Sequence, residues 1–266
     1  MTTVIKSNHA GRKEYCKNQA LDRLGETRLN TLGSKMWIVG YTSATNIDVQ
    51  FDDGFVANGI WYGNFINGAV RSPNDVSVYG HGYIGIGEHK TAIDGKKTLQ
   101  YVTWTSMLGR VYSTKSKERR PEYKGCSVSE GWFNFQVFAK WYDDNFYKCD
   151  ELHLDKDILF HGNKVYGPET CVFVPQLINS LFAKCKASRG LYPIGVTEAN
   201  GKYCARGSIG IGAMKHIGYF TTPTEAFNAY KEFKENYIKS VAERYRDIIP
   251  EKLYVAMMKY EVLIDD

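Results

Sequence analysis

The sequence predicts an α+β protein built from more than one domain. Three observations point there: its length, the short extended runs of its first third, and the apolar stripes at helical spacing that follow. At 266 residues the chain exceeds one typical domain and suggests about two. Hydrophobic residues make up 43% and aromatic residues 14%, enough for packed cores and too much for wholesale disorder.

Residues 1–35 read as a basic, partly helical segment with no clear core. Residues 36–98 read as a small antiparallel β domain, because MWIVGY, NIDVQF, WYGNF and YGHGYIGIG are β-branched and aromatic runs separated by Gly, Asn and Asp. In NIDVQF the alternation places Ile47, Val49 and Phe51 on one face. Asp94-Gly95 is a turn that leads out of this region.

Residues 99–184 change period. Trp104, Met107, Leu108 and Val111 recur at helical spacing, as do Trp132, Phe135, Phe138 and Trp141 or Tyr142, and both stripes read as core packing. The stretch LDKDILFHGNKVYGPETCVFVPQLINSLF then reads as a strand, a turn at Gly162-Asn163, a short CVFV strand and a helix from near Pro175. Residues 190–266 read as strands followed by one long amphipathic helix. Asn200-Gly201 between extended runs is a hairpin signal. Thr222 as cap, Pro223 at the first helical position and Glu225 three residues after the cap spell a capping box. Ala226, Tyr230, Phe233, Tyr237, Val241 and Tyr245 then form an apolar stripe.

Composition narrows the function classes. No apolar run approaches the roughly 18 residues of a membrane span, and the first residues lack the apolar stretch of a secretory signal, so a cytoplasmic protein with no membrane partner is expected. The six cysteines are scattered without a CxxC pair, which argues against structural zinc and leaves reduced, mostly buried thiols. YGHGYIGIG lacks the strand–GxGxxG–helix context of a nucleotide site. Net charge is only +5, but residues 1–35 carry seven Lys or Arg against three acids, and a second basic stretch includes Arg110, Lys115, Lys117, Arg119, Arg120 and Lys124. Acids dominate at 143–157. Such runs often are solvated faces. Basic flanks around an acidic cluster also suit a phosphate-binding surface with a cation site inside it.

A ββα hairpin such as 154–182 can grip one divalent cation through a carboxylate on its first strand and an amide oxygen on its helix. The ion then stabilises charge on a phosphate while a nearby base activates water. WxxMLxRxY at 104–112, EYKGCSVSEGWFNF at 122–135 and LDKD…YGPETCVFVPQLIN together resemble the phage HNH homing-endonuclease family, closest to a subgroup with relaxed signatures. The resemblance implies a magnesium or manganese ion held by Asp155 and Asn179, with Asn163 bracing the hairpin. It also places Lys156 where the family carries its base histidine. Lysine already holds its proton at neutral pH, so His153, before the strand, and His161, in the turn, stand as substitutes.

LYPIGVT, GKYCARGSI and HIGYFTTPTEAFNAYK are similar to the APETALA-type (ethylene-response-factor) DNA-binding domain, which lays a three-stranded sheet in the major groove and backs it with a helix. That resemblance implies double-stranded DNA as partner and Lys202, Tyr203, Arg206 and Lys215 as its contacts; Arg119 and Arg120 of the second basic stretch are further candidate DNA contacts. The N-terminal part resembles modules that precede such segments in phage proteins. Three functions follow as expectations: a metal-dependent DNA endonuclease, a DNA-binding regulator on a catalytically degenerate HNH scaffold, or a virion or protein-interaction component.

Overall fold

The computed structural model describes residues 22–149, 151–182 and 191–264. It is a mixed α+β fold with several small sheets and helices. Two compact units form, one from residues up to Ser116 with Glu130–Ala139, the other from Lys117–Ser129 with Lys140 onward.

In the first unit β1 (Thr27–Leu29), β2 (Lys35–Ser43), β3 (Asn46–Phe51) and β4 (Val56–Ile60) form an antiparallel sheet in sequence order. The alternation of NIDVQF does what its period dictates: Ile47, Val49 and Phe51 are buried with Met36, Ile38, Phe65 and Val70. Two other runs behave differently from the sequence reading. WYGNF contributes a one-turn helix, α1 (Tyr62–Ile66), which drops Phe65 into that core. Five residues are too few for periodicity to separate helix from strand. YGHGYIGIG is a chain of turns with isolated bridges Val78↔Gly82 and Tyr83↔Asn134. Tyr79, Gly80 and Gly85 have positive φ, a conformation that breaks an extended run.

The hairpin of β5 (Ala92–Ile93) and β6 (Lys96–Lys97) turns through Asp94 and Gly95, both left-handed, as the dipeptide predicts. The Thr98 hydroxyl then accepts from Tyr101 N at 3.3 Å and caps α2 (Leu99–Tyr112). On this helix Trp104, Met107, Leu108 and Val111 are buried, the core role their spacing predicts. Trp104 Nε1 donates to the Trp132 carbonyl at 2.7 Å, and the Phe135 ring lies 5.5 Å from the Trp104 ring. The boundary between units falls within α3 (Thr114–Arg119) and α4 (Phe135–Asn145).

In the second unit β7 (Ser127–Val128) runs parallel to β9 (Val165–Tyr166), and β8 (Leu152–Asp155) pairs antiparallel with β10 (Val172–Pro175). α5 (Gln176–Leu181) follows β10 directly. Then β11 (Val196–Ala199), β12 (Lys202–Gly210) and β13 (Ala213–Phe220) make an antiparallel sheet with β12 central. Asn200 and Gly201, both at positive φ, close its first hairpin. α6 (Pro223–Arg244) begins with the expected capping box of Thr222 and Glu225 and packs on the sheet, and α7 (Glu251–Met258) packs on α6. Gly207 permits the helix to approach, because a Cβ there would lie 2.5 Å from the Phe233 ring. Val172 and Val174 of β10, Ile178 and Leu181 of α5, Ile238 and Val241 of α6, and Leu253 and Met257 of α7 share one core. The hairpin and the C-terminal sheet are thus braced by the same helices.

Among the described residues no helix is long and apolar enough to cross a membrane. Cys171 and Cys204 are buried free thiols, Cys126 and Cys149 are half-buried, and Cys16 and Cys185 lie outside the described residues.

Candidate functional site

Two places collect the residues singled out from the sequence. The first is the end of β8 and the loop after it. His153 and Asp155 project from the same side of the strand, paired with Val174 and Val172. Asp155 Oδ1 accepts from the backbone N–H of Asp157 at 2.7 Å and of Ile158 at 2.8 Å, an Asx turn that ends the strand. Burial pushes the Asp155 carboxyl above the ordinary carboxylate range, against those two N–H groups, which pull it down.

Lys156 turns inward. Only 4% exposed, it donates to Asp157 Oδ1 at 2.6 Å and to the Asn163 carbonyl at 3.1 Å, with its ammonium 5.7 Å from the Tyr166 ring centroid. Asn163 reciprocates: its Nδ2 donates to the Lys156 carbonyl at 2.8 Å and to Val165 O at 2.7 Å. Lysine and asparagine together stitch the loop shut. His161 is exposed in the turn, and Asn179 is half-buried on α5, which packs on β8 and β10.

Among the described residues, the acids of 143–157 do not gather into a metal-holding group. Asp144 pairs with Lys140 at 3.0 Å, Asp157 with Lys156, Asp155 is tied to its own turn, and Asp150 lies outside the described residues. Among the described residues no group of three or more His, Cys, Asp or Glu converges as a metal site would. The donors fit a hard divalent ion poorly: one carboxylate half-committed to backbone N–H groups, beside a buried ammonium that already supplies positive charge.

The second place is the C-terminal sheet. Strand alternation sorts its residues between the face covered by α6 and the face away from it. Tyr203 packs into the cluster formed with Val196, Ala205, Phe227 and Tyr230, so it belongs to the helix side. Lys215, paired with Gly207, also points there, its ammonium 5.6 Å from the centroid of Phe233 on α6. Lys202 and Arg206 fall on the opposite, open face. The structure therefore divides the four residues proposed as DNA contacts into two pairs.

The open face also carries residues that sequence reasoning missed. An irregularity opposite Ala205 and Arg206 skips Ile217, so His216 stands across from Arg206 and Tyr219 across from Cys204. The His216 and Tyr219 rings lie 4.9 Å apart. Tyr219 is 55% exposed and Met214, across from Ser208, is 60% exposed. Cys204, small and flanked by Thr197 and Tyr219, is buried. The one carboxylate of the three strands, Glu198, pairs with Tyr203 on the other side and accepts from the Tyr192 hydroxyl. The side chains of Lys202 and Arg206 make no hydrogen bond or ion pair with any described residue. Arg119 and Arg120, at the end of α3 and just beyond it, are likewise exposed and unpaired among the described residues.

No family model matches the chain, and no curated protein or solved structure matches it either.

Proposed function

We propose that the chain binds double-stranded DNA through the open face of β11–β13, and that the hairpin of β8 and β10 is a non-catalytic brace. The observation that carries the first part is the charge distribution on that face. The side chains of Lys202 and Arg206 have no partner among the described residues, no carboxylate of the three strands lies on this face, and His216, Tyr219 and Met214 supply polar and flat apolar groups beside them. Three strands at about 4.8 Å spacing present a surface roughly 10 Å across, which suits a major groove about 12 Å wide. Residues two apart on β12 then reach phosphates or base edges in register.

The resemblance to phage HNH proteins with an APETALA-type domain supports the same reading. The second part rests on Lys156. Its position corresponds to the base of that family, yet its Nζ is buried and held as a donor by Asp157 Oδ1 and the Asn163 carbonyl, a clasp of the loop rather than a group facing a substrate. This favours the degenerate-scaffold form of the resemblance over a magnesium-dependent endonuclease.

Two measurements test the reading. Fluorescence anisotropy with duplex DNA across a salt series should show affinity falling steeply as salt rises, because phosphate contacts release counterions. Absence of binding at low salt defeats the proposal. Supercoiled plasmid incubated with magnesium or manganese should stay intact. Nicking that disappears in Asp155→Ala would restore the endonuclease reading.

A further inference from the structure

The first unit holds an open pocket of about 580 Å³, a size typical of small-molecule sites. Its apolar lining includes Phe55, Ala57 and Ile60 beside Val70 and Ile84. Its walls are fixed by polar side chains already satisfied within the protein. Asp75 Oδ2 accepts from Asn30 Nδ2 at 2.7 Å and from Ser72 N at 2.9 Å, while its Oδ1 accepts from the Ser34 hydroxyl. The Gln136 amide locks onto the backbone of His89, accepting from its N–H at 2.9 Å and donating to its carbonyl at 3.1 Å. A ligand entering here meets a preformed wall, so little ordering cost is charged against its binding.

The lining carries one carboxylate and one guanidinium, and they differ in what already holds them. The Asp75 carboxylate is buried and has both oxygens occupied. Arg71 is exposed and has no hydrogen bond or ion pair among the described residues. An apolar cavity with one uncommitted guanidinium at its edge selects a molecule with the complementary pattern.

We propose that this pocket binds a small organic anion: an apolar ring or chain seated against Phe55, Ile60 and Ile84, with a carboxylate, phosphate or sulfonate on Arg71. The proposal is independent of DNA binding, since the pocket belongs to the other unit.

The test uses two fluorescent probes with related bodies, titrated into the full chain. One is 8-anilino-1-naphthalenesulfonate, the other its uncharged relative N-phenyl-1-naphthylamine. The sulfonate should bind at one site per chain, at least tenfold tighter than the neutral amine. Arg71→Gln should weaken the sulfonate at least tenfold and change the amine less than twofold. Ala57→Trp, which fills the cavity, should remove both, with far-UV circular dichroism showing the fold retained. The surface variant Arg71→Gln keeps the test decisive if Ala57→Trp misfolds. Equal binding of both probes, or sulfonate binding indifferent to Arg71→Gln, overturns the proposal.

Discussion

In the hairpin of β8 and β10 the lysine just past the strand end folds inward, where an aspartate and a backbone carbonyl absorb its charge. On the sheet of β11–β13, Lys202 and Arg206 sit within or at the start of a strand, on the face away from α6, and their side chains have no partner among the described residues. The two regions are braced by the same long helix, α6, each through its own apolar cluster. The difference comes from what stands beside each cation: flanking aspartates and a tight loop in one case, strand neighbours without a carboxylate, His216 across from Arg206 among them, in the other. A cation already satisfied holds the protein together; a cation left unsatisfied is available to a partner.

The largest effect expected is at Lys156. Lys156→Ala removes the donor to the Asn163 carbonyl and the buried half of an ion pair, a loss of about 3 kcal/mol. A lowered urea midpoint measures it, while affinity for duplex DNA should stay within twofold. Wild-type stability in this variant would break the contrast, since the lysine would then not be the clasp of the loop.

A third cation sharpens the comparison. Lys234 of α6 is 5% exposed, lacks a counter-charge among the described residues, and has its ammonium pushed down from 10.5 to about 8 by burial. It is buried like Lys156 but unpaired like Arg206. Below pH 8 both folded and unfolded chains carry the proton, and the folded state bears the full cost of burying it. Between about 8 and 10.5 the unfolded chain binds more protons, so stability rises with pH across that window. Lys234→Met should add on the order of 2 kcal/mol at pH 7 and flatten the rise. Denaturant melts at pH 7 and pH 10 read both; an equal pH dependence in the variant contradicts the assignment.

Next in size is Arg206. Arg206→Ala should lower duplex affinity about tenfold and reduce the slope of log affinity against log salt by about 1. Lys202→Ala, at the strand start beside the turn, should act in the same direction and less strongly. An unchanged salt slope in both variants would mean that DNA is bound elsewhere.

Much of this arrangement is legible in the sequence wherever one local rule decides. Asn200-Gly201 and Asp94-Gly95 need left-handed backbone and obtain it; Thr222, Pro223 and Glu225 start a helix where they should. The stripe through Trp104 is core because helical spacing leaves it no other use. Facing is harder. Lys202, Tyr203, Arg206 and Lys215 share a basic-aromatic character along the chain, but alternation and the skipped Ile217 send two to each side. His216 and Tyr219 were available to the same argument, once the pairing of β12 with β13 was known. Lys156 was hidden for another reason: its inward turn depends on the carbonyl of Asn163, seven residues on, which no periodicity announces.

The smallest effect tests that division of faces most directly. Lys215 and Arg206 are both cations on neighbouring strands, and a purely sequence-based view treats them alike. The Lys215 ammonium lies over Phe233 on the helix side, so its charge is turned from the surface proposed to meet DNA. Lys215→Ala should cost about 0.5–1 kcal/mol of stability through the lost cation–π contact and covered ring. Its effect on duplex affinity should stay under twofold, and the salt slope should not move. If Lys215→Ala weakens DNA binding as much as Arg206→Ala does, then the partner reaches around the edge of β13 and the open face alone does not define the interface.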